Sequence, residues 1–132
     1  MSEKADPLLE LVVDTKQINR EKLAELLKGK VLLDLRSDTF LLQQEARTRS
    51  SARQVVLLSL LAEKALSLLK EGLADALSPS ELTIVTGLKG GTIRPVLKRL
   101  ADEGLIVRVQ QGYTVHNSAF ARVAIALSNA ER

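Results

Sequence analysis

SPSELTIVTGLKGGTIRPVLKRLADEGLIVRVQQGY, residues 78–113, is the stretch on which the fold turns. Ser78 can cap the amide of Glu81, and Glu81 can return the bond. Pro79 then takes the first helical position, where its missing donor costs nothing. The pattern predicts a helix to about Thr86, with Gly87 supplying a turn. A second helix is expected to begin near Gly91 and to end at Gly104. In it Ile93, Val96, Leu97, Leu100 and Ala101 recur at helical spacing as a buried stripe. Thr92, Arg94, Lys98 and Arg99 are left facing outward. Pro95 fits a helix capped by Gly91, because it then falls at the end of the first turn and removes at most one hydrogen bond; an earlier start predicts a kink. Residues 105–109 and 113–116 are strand-like and are joined around Gln111 and Gly112 as a tight hairpin.

Outward from this stretch, residues 51–70 read as the longest helix, capped by Ser50 or Ser51 and ended by Gly72. It is apolar nearly all round, so more than one neighbour should bury it. Those neighbours are either the N-terminal segment and residues 78–116, or a second copy across a dimer seam. Asn117 reads as the cap of a last helix, 118–128, with Phe120, Val123, Ala124 and Leu127 on one face. At the other end, residues 1–6 are polar. Asp6 and Pro7 suggest a short helix over 7–13, and a connection follows over 14–18. Asn19 is placed to cap a helix over 20–28 that buries Leu23, Leu26 and Leu27, with Gly29 as its stop. Residues 31–36 and 39–42 form a predicted hairpin broken at Ser37 and Asp38, with Leu33 and Leu35 on one side and Asp34 and Arg36 on the other. The division expected is an N-terminal helix and hairpin, 1–48, followed by 49–132. Read across that boundary, the chain gives helix, hairpin, long helix and then helix, wing, helix, but the residues do not match as a repeat would.

Composition narrows the function. The chain has 132 residues, no cysteine and a single histidine, His116. Disulfides, cysteine-based zinc sites and thiol catalysis are excluded, and His116 is expected to be a surface or hydrogen-bonded residue. The aromatics are Phe40, Tyr113 and Phe120, too few for a base-stacking platform. Net charge is +3, compatible with nucleic acid without requiring it. Its distribution says more. Within residues 82–101 the charged residues are Lys89, Arg94, Lys98 and Arg99, all basic. A second acid-free run, 46–62, carries Arg47, Arg49 and Arg53, read as a solvated loop and first turn in preference to a phosphate-contacting arm. No secretory signal is evident, and the most apolar segment, 55–69, is too short and too polar to span a bilayer. A soluble cytoplasmic protein without membrane contact is expected. Asp34 and Asp38 are ordinary turn residues. No nucleophile–base pair, glycine-rich phosphate loop or metal-ligand spacing is present, so neither enzymatic activity nor a cofactor is expected.

The run TGLKGGTIRPVLKRLADEGLI resembles the winged helix-turn-helix superfamily, which includes small bacterial and archaeal transcriptional regulators. The resemblance covers residues 51–116 and is closest over 81–106. Thr86, Gly87 and Leu88 look like the end of a positioning helix and its turn. Residues 92–100 look like a recognition helix, and residues 103–106 like the exit into a wing. The implied fold is mainly α with small β-hairpins (α+β), a winged helix-turn-helix carrying an N-terminal helix-hairpin extension. The implied function is double-stranded DNA binding in transcription regulation, or a subunit contact in a larger assembly, since one fold serves many roles.

The chemistry of the DNA reading is direct. A helix N-terminus offers free amides and partial positive charge to phosphate. Lys89, Thr92, Arg94 and Lys98 are placed to follow it into a major groove. Only Arg94 can hold a guanine edge with two bonds, worth about 1–3 kcal/mol in discrimination. Gly90 and Gly91 permit close backbone approach but read nothing, so sequence specificity should be modest. Lys98 and Arg99 suit phosphate, and Arg108, Gln110, Gln111 and Tyr113 of the wing suit the backbone or a minor groove. A homodimer is expected, since two half-sites multiply a limited single-site affinity. The alternative is a protein-protein adaptor within a larger complex, suggested by the apolar excess of the long helix. The plain reading of the basic residues is a solvated helix face.

Overall fold

Ser51 and Ser78 each start a helix by the same reciprocal bond. The Ser51 hydroxyl accepts from the Gln54 amide at 3.2 Å while the Gln54 side chain accepts from the Ser51 amide at 2.8 Å. Ser78 and Glu81 repeat the arrangement at 3.1 and 2.8 Å. Such caps contribute about 1 kcal/mol each and fix where a helix begins. In the computed structural model, which describes residues 19–130, the order is α1 (Arg20–Leu27), β1 (Val31–Asp34), β2 (Thr39–Leu42), α2 (Gln44–Arg49), α3 (Ala52–Leu69), α4 (Pro79–Thr86), α5 (Gly90–Asp102), β3 (Val107–Val109), β4 (Gly112–Thr114) and, after a 3-10 turn at Asn117–Ala119, α6 (Phe120–Ala130). The protein is mainly helical with two small antiparallel hairpins, an α+β fold. The helix expected over 7–13 lies outside the described residues. No helix among the described residues is long and apolar enough to cross a membrane.

In α1, Asn19 Oδ1 takes the Lys22 amide at 3.0 Å, and Leu23, Leu26 and Leu27 are buried. The first hairpin pairs Val31 with Leu42, Leu32 with Leu41, Leu33 with Phe40 and Asp34 with Thr39. Val31 and Phe40 point into the core, while Leu32 and Leu41, opposite one another, are 55% and 63% exposed. Alternation placed Leu35 beside Leu33, but β1 ends at Asp34 and Leu35 is exposed in the turn. The Asp34 carboxylate accepts from the Arg36 amide and so curls the chain. α2 was not anticipated: six residues, capped by no side chain and burying only Ala46, leave little periodicity to read.

α3 is the centre of the core. Val56, Leu60, Leu61, Ala62 and Leu66 are completely shielded, as is Ser59, whose hydroxyl donates back to the Val55 carbonyl. α1, the first hairpin, α4, α5, β4 and α6 all pack around it. Its apolar circumference is thus buried within one chain as far as Leu66, while Leu69 at its C-terminal end is 54% exposed. Leu23, Leu26, Val31 and Phe40 from before residue 49 belong to the same cluster as Leu82, Ile93, Leu97, Leu100, Val115 and Val123 from after it.

The second hairpin pairs Val107 with Thr114, Arg108 with Tyr113 and Val109 with Gly112. Its turn is Gln110 and Gln111, one residue earlier than the composition suggested, and Gly112 already belongs to β4. Gly112 serves a different purpose. Leu77, just before α4, pairs with Tyr113 as a third, single-residue strand. Its amide donates to the Tyr113 carbonyl at 3.0 Å, and the Tyr113 amide donates back at 2.8 Å. A Cβ on Gly112 would run into the Leu77 carbonyl. Lys64 of α3 anchors both ends of this arrangement. It is 5% exposed and donates to Asp75 at 2.8 Å and to Asn117 at 3.1 Å. A buried ammonium is tolerable only when so partnered. Asn117 is therefore taken, and His116 caps the following turn instead, its Nδ1 accepting from the Ser118 amide at 3.2 Å.

Candidate nucleic-acid interface

α5 begins at Gly90, one residue before the expected start, with Lys89 as its N-cap. Lys89 makes no side-chain cap bond, and no acid lies in the first turn. A Cβ on Gly90 or Gly91 would meet nothing within 4 Å, so the entrance to this helix is open. Pro95 falls in the second turn and removes the bond that an amide there would make to the Gly91 carbonyl. The opposite end is well held. Gly104 has φ +77, and Arg122 of α6 donates to its carbonyl at 2.9 Å. Arg53 of α3 binds the Glu103 carboxylate, and that bond keeps the carboxyl below its ordinary pKa.

Ile93, Leu97 and Leu100 are buried, with Val96 and Ala101 partly so, which leaves Thr92, Arg94, Lys98 and Arg99 on the solvent side. These basic residues do not form one patch. Arg94 and Lys98, four apart, share a face. Arg99 lies toward α3, lining a small apolar cleft with Arg53, Pro95 and Val96. Lys98 pairs with Asp102 at 3.3 Å, but both side chains are well exposed and such a pair is weak. On the second hairpin Arg108, Gln110 and Gln111 are exposed. Tyr113 is partly buried against the core, and its backbone is committed to Leu77. Gly91 is open to solvent and Gly90 partly so.

The ion pairs of the described residues sort the cations. Lys22, Arg49, Arg53, Lys64, Lys70 and Lys98 pair with Glu25, Glu45, Glu103, Asp75, Asp38 and Asp102. Arg20 and Arg122 donate to carbonyls. Among the described residues Lys89, Arg94, Arg99 and Arg108 have no ion pair or side-chain hydrogen bond, and all lie on α5, its cap or the second hairpin, although the charge of Arg99 is felt by Glu103. Lys28, Arg36 and Arg47 are the others so placed. The acid-free run 46–62 singles out Arg47, but α2, the helix that carries it, buries only Ala46 and leaves no periodicity in that run. No protein-family model, curated protein or solved structure matches this chain.

Proposed function

We propose that residues 49–132 form a winged helix-turn-helix, with α5 as recognition helix and the second hairpin as a short wing, and that the protein binds double-stranded DNA as a cytoplasmic transcriptional regulator of modest sequence specificity. The carrying observation is the concentration of unpaired cations on α5, its cap and the hairpin, while cations elsewhere are largely satisfied. Charges left without protein partners are available to phosphate, which releases counterions and drives binding. Arg94 supplies the base contact, Lys98 and Arg99 backbone contacts, and Arg108 with Gln110 and Gln111 a wing contact. Function as a homodimer belongs to this reading, because a single short α5 gives limited affinity. Fluorescence anisotropy with a labelled duplex across a salt series tests it. Binding that weakens with salt and is lost in the Arg94→Ala/Lys98→Ala double variant is expected; no salt-dependent binding to any duplex rejects it. Sedimentation tests the dimer, and a strict monomer at high concentration removes that part.

A protein-protein adaptor is the second reading, favoured by the exposed pair Leu32 and Leu41 on the outer face of the first hairpin. A stoichiometric protein partner recovered without nucleic acid, and lost with Leu41→Ser, supports it.

A further inference from the structure

The three arginines of the run 46–62 part company in the fold. Arg53 is bound to Glu103, and Arg49 lies 3.9 Å from Glu45, lining a cleft with Lys28 and Lys30. Arg47 reaches the other way. A Cβ built on Gly87 would stand 2.6 Å from Arg47 Nη2, so this guanidinium packs on the turn that joins α4 to α5. Gly87 has φ +76 and is the C-cap of α4; Lys89, two residues on, is the exposed N-cap of α5. Arg47 and Lys89 therefore flank the same turn from two different elements. Arg47 is exposed and has no ion pair or side-chain hydrogen bond among the described residues. Its helix is held in place: Ala46 is buried, and the Gln43 amide donates to the Lys30 carbonyl at 2.8 Å.

We infer that Arg47 is a further contact to the DNA phosphate backbone, so that α2 of the N-terminal extension enters the interface beside the start of α5. The inference rests on the DNA-binding reading above. A planar guanidinium on a fixed element can hold a phosphate with two parallel bonds, which a lysine in its place cannot. The competing role is purely structural: a cation near the end of α4 favours that helix's dipole. The two differ in what they move. A phosphate contact sets duplex affinity and its salt slope, equally for all sequences. A structural contact sets only stability.

The test is anisotropy of a labelled duplex over a salt series with Arg47→Ala, Arg47→Lys and Arg49→Ala, each checked by thermal melting. Arg47→Ala is expected to bind more weakly on every duplex and to reduce the salt slope by about 1. Arg47→Lys should keep the slope and lose part of the affinity. Arg49→Ala should match the unaltered protein. If the unaltered protein binds and Arg47→Ala retains its affinity and slope, Arg47 is not a contact, whatever its melting temperature. If the unaltered protein binds no duplex, the DNA reading fails and this inference fails with it.

Discussion

Gly112 shows how one residue can be read correctly as special and wrongly as to why. A glycine beside two glutamines suggests a turn residue. In the fold it is a strand residue with φ +141, and its missing side chain lets Leu77 approach β4. The partner lies far back in the chain, and no local pattern points to it. Gly112→Ala combines an unfavourable φ with a collision against backbone, including the Ser78 nitrogen at 2.6 Å from the added Cβ. It should destabilise by more than about 1 kcal/mol, seen as a lower urea midpoint. Glu63 makes a second residue-scale case. Its pKa is raised from 4.5 to about 7 by burial first, then by the charges of Glu81 and Asp75. Between those values the folded state binds more protons than the unfolded state, so this residue's contribution makes stability fall as pH rises from 4.5 to about 7. Glu63→Gln should remove that slope and raise the melting temperature at about pH 8 while changing little below 4.5. Asp34 and Glu103 act in the opposite sense. Hydrogen bonds, from Ser37 and from Arg53 respectively, hold both below their ordinary range, so their contribution is lost only as the medium becomes more acidic.

Among the elements, those with strong local signals were legible and those without were not. α4 could be read to the residue because Ser78, Pro79, Glu81 and Gly87 each have a single local purpose, and all four serve it. The stripe of α5 was legible through Ile93, Leu97 and Leu100 for the same reason. α2 was missed because one buried alanine makes no stripe, and Asn117 was misread as a cap because its side chain is spent on Lys64 across the core. The sequence names the candidate residues of the interface but not their arrangement as a surface. Spacing places Arg94 and Lys98 together and turns Arg99 about 140° away from Arg94, yet only the fold brings Arg47 to Gly87. The glycine pair opening α5 gives the element-scale prediction. A methyl group at Gly91 meets nothing within 4 Å, and alanine is better in a helix by roughly 0.5–1 kcal/mol. Gly91→Ala should therefore stabilise the protein. If backbone at this position approaches DNA, the same variant should bind duplex more weakly, so melting and anisotropy should move in opposite directions.

For the whole molecule, the consequence of placing α3 at the centre is that, among the described residues, the parts before and after residue 49 share one core. Leu23, Leu27, Val31 and Leu33 form an apolar wall facing Ala65, Leu68 and Leu69, and Phe40 is buried in the same cluster. From sequence alone, the all-round apolar character of α3 fitted either this covering or a second copy, since periodicity reports that a face is buried and not by what. The fold covers most of that face from the N-terminal side, through α1 and the first hairpin, and leaves Leu69 54% exposed. Removing the cover should therefore cost more than its own few contacts. A fragment starting at residue 50 keeps α3 to α6 and both capping boxes, but exposes the side of α3 that meets α1 and the first hairpin. It should retain helix by circular dichroism yet lose a sharp thermal transition or self-associate, because a large apolar face seeks another surface. Phe40→Ala tests the same coupling in the full chain, with an expected loss of about 3–5 kcal/mol. A fragment that melts as sharply and as high as the full chain would show instead that residues 50–132 hold a sufficient core, and that the extension serves the interface through Arg47 rather than the fold.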